Sequence, residues 1–180
     1  MTKPPTWRDL LPLDDGALLA QCEFDRFRAS GPGGQKRNVT ESAVRLRHKP
    51  SGLSAEATES RSQHENRARA LRKLRYAVAL GLRAPVAVER YTAPEELAAA
   101  VGTGVGRRDA RFLTSIASLF DLLEGVEWQL RTAAKALGTS TAAVSRLLEQ
   151  DSTVFRAANE RRRALELRPL RTAKQGRRGR

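Results

Sequence analysis

A single cysteine, Cys22, and two histidines, His48 and His64, are the only thiol and imidazole groups in this 180-residue chain. No internal disulfide can form, and the lack of a Cys-x-x-Cys pair argues against a structural zinc site. No run of about 18 apolar residues occurs, so no membrane-spanning helix is expected. Residues 1–20 contain Asp9, Asp14 and Asp15 and lack an apolar signal core. That argues against secretion and makes the cytoplasm the expected compartment. Aromatic residues are few, at 5%, although 40% hydrophobic residues is enough for a core in one ordinary domain or two small ones. Acidic residues are also short, 20 against 33 Lys and Arg, leaving a net charge of +13 and a pI near 11.2. Such an excess is foreign to most enzymes of small molecules and points to a polyanion, either nucleic acid or an anionic membrane surface.

Among what is present, Gly31-Pro32-Gly33-Gly34-Gln35, followed by Lys36-Arg37 and Asn38, is the most informative stretch. Adjacent glycines remove side-chain bulk and open backbone angles closed to other residues, so the main chain can press against a partner's atoms. Gln35 adds a neutral amide with both donor and acceptor atoms. No acid, base or nucleophile accompanies it. Chemistry at this point must rest on positioned backbone dipoles and a positioned water, acting on a substrate held by something else. The basic surroundings point to RNA.

The flanks make the triplet specific. Arg28-Ala29-Ser30-Gly31-Pro32-Gly33-Gly34-Gln35-x-x-Asn38-x-Thr40-x-Ser42-Ala43-Val44-Arg45 resembles the catalytic loop of class I peptide chain release factors. Glu59-Ser60-Arg61-Ser62-Gln63-His64-x-Asn66-x-Ala68-x-Ala70-Leu71 resembles the second signature of that domain, at the expected separation. Lys36-Arg37 departs from the small polar and aliphatic pair of many relatives. The resemblance implies that Gly33, Gly34 and Gln35 are catalytic in hydrolysis of the peptidyl-tRNA ester, with Gln35 also the candidate for N5-methylation by a glutamine methyltransferase. It implies the ribosome as partner, through its large-subunit RNA and peptidyl transferase centre, together with peptidyl-tRNA. No cofactor or metal is implied. Arg28, Lys36, Arg37, Arg45, Arg47, Arg61 and Arg67 group around the loop and are read as contacts to ribosomal RNA phosphates, Arg being suited to bidentate pairing. Asn38 and Thr40 are expected to brace the loop, His48 to cap a hairpin end, and Gln63 and His64 to support the fold.

Residue patterning places these motifs. Asp14-Asp15 suits a short helix start. Cys22 and Phe24 alternate with acidic residues in a first strand, and Val44 and Leu46 with arginines in a second. Pro50-Ser51-Gly52 reads as a turn, and Leu53, Ala55 and Ala57 as a third, antiparallel strand. From Ser62 to about Leu80 the apolar Leu71, Leu74 and Val78 recur at helical spacing against Arg67, Arg72 and Arg75. The expected fold class is α+β: a small antiparallel sheet carrying the Gly-Gly-Gln loop and a long amphipathic helix, followed by an all-α region.

Beyond Gly81 and Pro85, Thr92-x-x-Glu95 with Pro94 marks a helix start, and Gly102, Gly104 and Gly106 a break. Phe112, Ile116, Leu119, Leu122 and Leu123 form an apolar stripe, and Trp128 and Leu130 begin another helix. Residues 130–149 fit a helix-turn-helix, with Ala134 in the first helix, Gly138 at the turn, and Val144 and Leu147 in the core. Ser140, Thr141, Ser145 and Arg146 would then face a phosphate backbone or groove, a packing-only bundle being the alternative. Arg161-Arg162-Arg163 precede a tail carrying Arg171, Lys174, Arg177, Arg178 and Arg180, with no acidic residue after Glu166. That tail is expected to be disordered when free and to bind RNA, with the messenger RNA channel a candidate.

The expected organisation is therefore a catalytic domain over 1–82, a linker with a short helix over 83–107, a helical bundle over 108–170 and a basic tail over 171–180. Some 20 residues before the first strand are too few for a codon-reading domain, so Pro4-Pro5-Thr6 reads as a chance match to a codon-reading tripeptide. The expected role is codon-independent rescue of stalled ribosomes. A second class stays open: a helix-turn-helix regulatory protein whose Gly-Gly-Gln domain does not catalyse.

Overall fold

A computed structural model describes residues 4–27, 42–102 and 105–172. The chain divides into two compact units, Met1–Leu82 and Arg83–Arg180.

In the first unit, Thr6 caps α1 (Trp7–Leu10) by donating its N–H and hydroxyl to Asp9, at 2.7 and 2.8 Å. Asp14 accepts from the Ala17 N–H at 2.8 Å and opens α2 (Asp15–Ala20), satisfying one of the orphan donors of a helix start. Then β1 (Cys22–Phe27), β2 (Ala43–His48) and β3 (Ser54–Ala57) form an antiparallel sheet in that order. Cys22 is paired with His48, Phe27 with Ala43, and Val44 with Ala57. The central strand shows why its sequence alternates. Val44, Leu46 and His48 are buried on one face, while Arg45 and Arg47 are exposed on the other.

Ser62 caps α3 (Gln63–Gly81), which lays Ala70, Leu71, Leu74 and Val78 against β2 and β3. Each such leucine or valine contributes about 1.5–3 kcal/mol by leaving water. Arg75, expected on the solvated face, is instead half-buried. It donates to the Leu11 and Leu13 carbonyls at 3.2 and 2.7 Å and pairs with Asp15 at 2.8 Å, tying α3 to the α1–α2 connection. Phe24 behaves otherwise than its alternation suggests. On edge strand β1 it stays 39% exposed.

Residues 83–107, which the sequence reads as a linker with a short helix, bury Ala84, Leu97, Ala100, Val101 and Val105 within the second unit. There α4 (Glu95–Gly102) starts on the Pro94 carbonyl, which accepts from Leu97 and Ala98 at 3.0 and 2.9 Å. The central helix is α5 (Phe112–Gly125), buried nearly all round rather than along one stripe. Its buried Asp121 accepts from the Ala84 N–H at 3.0 Å and faces Arg83 at 3.3 Å. Gly125 is required by closeness, since a Cβ there would lie 2.8 Å from Val88 Cγ2.

Then α6 (Leu130–Ala136) packs on α5, and α7 (Thr141–Glu149) packs on α4, α6 and α8 (Ser152–Ala164). Trp128 does not begin α6 but precedes it. Glu127 and Trp128 hold left-handed φ values of 52° and 58°, a conformation costing about 1–3 kcal/mol per non-glycine residue. The buried indole offsets this: its ring meets Phe120 edge-on at 5.0 Å and its N–H donates to Glu124 at 2.7 Å. Arg161 also bonds Glu124, and Arg162 donates to the Trp128 carbonyl. Two members of the Arg161-Arg162-Arg163 run therefore hold the helices together.

Candidate functional site

The Gly33, Gly34 and Gln35 triplet, with Arg28, Lys36, Arg37, Asn38 and Thr40, lies outside the described residues. The frame that carries it is described. The intervening segment leaves the sheet at Phe27 and rejoins it at Ala43, and these two residues are cross-strand partners.

Next to that point sits a side chain whose role the pattern alone does not reveal. Asn66, in the first turns of α3, is fully buried. Its Nδ2 donates to the Ser42 carbonyl at 2.6 Å and the Ser60 carbonyl at 2.8 Å, and its Oδ1 accepts from the Ser60 N–H at 2.9 Å. The Ser42 hydroxyl donates to the Ser60 carbonyl at 3.2 Å. One amide thus joins the start of α3, the turn before it and the residue just ahead of β2. The Ser60 hydroxyl in turn accepts from the Ser62 N–H at 3.0 Å, so the second signature closes on itself. The support expected of Gln63 and His64 is supplied by Asn66, and His64 is exposed. Position 66 stands within the signature, but its partners lie up to 24 residues away, beyond the reach of local patterning.

The basic residues divide. Arg61 and Arg67 adjoin Ser60 and Asn66 at the loop's base, are exposed, and have no acidic partner within salt-bridge distance among the described residues. The Arg67 guanidinium stands over the Phe24 ring at 5.7 Å. Arg45 lies on the opposite face of the sheet, bonded to Glu56 at 2.6 Å and placed over Phe27 at 5.0 Å. Arg47 lies toward the far end of β2 beside Glu23 at 3.9 Å. The four therefore do not form one stripe, and two of them face carboxylates that partly cancel their charge. Ser145 is half-buried and Arg146 exposed on α7, and Arg171 is exposed. Lys174, Arg177, Arg178 and Arg180 lie outside the described residues.

His48 and Cys22 pair at the end of the β1–β2 ladder away from the loop's base. His48 is buried at the hairpin end, where Nδ1 accepts from the Ser51 N–H at 3.3 Å, leaving Nε2–H to donate to Gln21 Oε1 at 3.0 Å. Burial holds its imidazole below the ordinary value. Cys22 donates to the Leu18 carbonyl at 3.2 Å, and burial pushes its thiol up, away from the reactive thiolate. Among the described residues no group of three His, Cys, Asp or Glu side chains could hold a metal, and no helix is long and apolar enough to cross a membrane.

Comparison with known proteins agrees with this frame. A family model described as the RF-1 domain matches residues 19–111, a little over half of the chain. Peptide chain release factor 1 of Salinibacter ruber is 40% identical over 91 residues, covering 51% of this chain and 24% of that protein. The Acidiphilium cryptum protein of the same name is 46% identical over 85 residues, 47% of this chain and 23% of the relative. That of Leptothrix cholodnii reaches 58% identity over 52 residues, 29% of this chain and 14% of the relative. The chain thus spans about a quarter or less of the length of these relatives. With more than half its length matched, the chain belongs to the RF-1 domain family, that of the class I release-factor catalytic domain.

Proposed function

We propose that this chain hydrolyses the ester between a nascent peptide and transfer RNA on the ribosome. The observation that carries the reading is the Gly33-Gly34-Gln35 triplet between paired strands of an RF-1 domain. The relatives' name, peptide chain release factor, supports the same reaction. Water attacks the ester carbonyl carbon, the bond to the ribose oxygen breaks, and a proton passes from the water to that leaving oxygen. The backbone N–H of Gln35 meets the developing oxyanion, an interaction worth about 3 kcal/mol in a site that excludes water. Its side chain places the water, and the bare Cα atoms of Gly33 and Gly34 let the loop enter the peptidyl transferase centre. The proton is relayed by a hydroxyl of the substrate or the ribosome, and a glutamine methyltransferase modifies Gln35.

The finer part of the proposal is rescue of stalled ribosomes without regard to codon. It rests on the excess of Arg and Lys after Glu166, suited to a vacant messenger RNA channel. The deciding measurement is release of labelled peptide from ribosomes carrying a stop codon, a sense codon or a truncated message. Comparable release on all three, greatest on the truncated message, is expected. Release that required a stop codon would remove the rescue role and keep the hydrolase. A well-folded Gly34→Pro protein, whose backbone cannot follow the required path, should release nothing; undiminished release would remove the loop from the chemistry.

A further inference from the structure

The second unit holds a surface that ester hydrolysis does not use. Helices α6 and α7 are joined through Leu137–Ser140, where Gly138 takes a φ of 62° with open space around a would-be Cβ. Glycine is therefore needed there for its backbone angle and not for packing. Ala133 and Ala134 of α6 and Ala143, Val144, Leu147 and Leu148 of α7 are buried. The opposite faces are solvated. Arg131, Thr132 and Lys135 are exposed on α6, and Thr141, Ala142 and Arg146 on α7, with Ser145 half-buried among them.

Two features select a partner for this face. The first is charge: Arg131 and Lys135 have no carboxylate in α6, and the one acidic residue of α7 is Glu149, three residues after Arg146, so cations outnumber acids three to one on the two helices. Elsewhere in the unit many arginines are spent on acids, Arg83 on Asp121, Arg107 on Asp151, Arg111 on Asp109 and Arg161 on Glu124. The second is size: around the start of α7 the exposed side chains are Ser140, Thr141 and Ala142, which let a helix end come close to another surface. A capped helix with small polar residues at its start, in contact with a second helix carrying cations, suits the way helix-turn-helix proteins meet a duplex.

We infer that the α6–α7 face binds the phosphate backbone of a nucleic acid duplex, with Arg131, Lys135 and Arg146 as the phosphate contacts and Thr141 and Ser145 turned toward the groove. The inference does not rest on the hydrolytic reading, and its test uses no ribosome. Binding of the full chain to a short DNA duplex, and to an RNA duplex of the same sequence, is followed by fluorescence anisotropy across a range of salt. Three proteins are compared. These are the natural chain, a face variant (Arg131→Gln, Lys135→Gln, Arg146→Gln) and a charge-matched control (Arg90→Gln, Arg156→Gln, Arg163→Gln). All six positions are exposed, and circular dichroism verifies that each variant is folded.

The face variant should bind about tenfold or more weakly, and its log–log salt slope should fall by about 2–3, close to 0.9 for each DNA phosphate no longer neutralised. The control should change much less. A loss with DNA alone assigns docking in the wide major groove. A loss with RNA alone or with both assigns backbone recognition, because the deep, narrow major groove of an A-form helix does not admit a helix. An unchanged slope for the face variant with both duplexes would overturn the inference, as would a control that loses as much.

Discussion

Asn66 shows how much can depend on one buried amide. Removing it by Asn66→Ala would strip the Ser60 N–H and the Ser42 carbonyl of buried partners, leaving the Ser60 carbonyl only the Ser42 hydroxyl. Unsatisfied buried groups cost about 1–3 kcal/mol each. We expect a loss of about 2–3 kcal/mol in denaturant unfolding, and a fall in peptide release larger than the fall in ribosome affinity, because Ser42 adjoins Ala43, where the loop rejoins its sheet. A variant as stable as the natural protein would show that water replaces the amide. His48 gives a different kind of prediction. Burial lowers its pKa in the folded protein below 6.5, so as pH falls through that value the unfolded chain takes up a proton that the folded chain refuses. Stability is then fully present above about pH 6.5 and declines as pH drops toward the folded value. His48→Gln, which cannot titrate, should flatten this part of the pH–stability curve. The carboxylates Glu59 and Glu124, held low by bonds to Lys73 and Arg161, act in a separate window below their ordinary value of 4.5.

At the scale of elements, the end of α5 is a tightly constrained joint. Gly125→Ala would press a methyl group to 2.8 Å from Val88, and the β-branched valine has little freedom to turn aside. Overpacking of this kind costs about 1–3 kcal/mol, to be read as a lower melting temperature; an unchanged one would mean the segment 86–88 yields. This joint is poorly legible in the sequence. Trp128 reads as the start of a helix because the next apolar residues continue the spacing, and nothing local signals two consecutive left-handed residues. The segment before α5 is also misleading, because Gly102, Gly104 and Gly106 dominate its character while Leu97, Ala100 and Val101 carry its packing. By contrast, Val44, Leu46, Leu71, Leu74 and Val78 are legible, since their periods of two and of three to four reflect one-sided burial directly. At the site, the signatures reveal the frame, but the bond from Arg45 to Glu56 depends on the β2–β3 register. No single segment contains that register.

For the whole molecule, a net charge of +13 makes salt the natural probe. Deleting residues 171–180 removes Arg171, Lys174, Arg177, Arg178 and Arg180. Ribosome affinity should fall, and its log–log salt slope should flatten by about 0.7–0.9 for each phosphate the shortened chain no longer binds. Release at saturating protein should change less, because the Gly-Gly-Gln segment is untouched; an identical slope would make the end of the chain a solubilising appendage. The pairing of Phe27 with Ala43 bears on how such a protein can change over time. Residues directly opposite each other on antiparallel strands sit only about 5 Å apart, so the sheet is complete up to the point where the connecting segment departs. Lengthening that segment costs little, about 0.6 kcal/mol for each doubling, and shifts no strand past its neighbour. A longer connection would therefore leave the register of β1 on β2 as it is, so strand pairing by itself sets no fixed length for the segment that joins them.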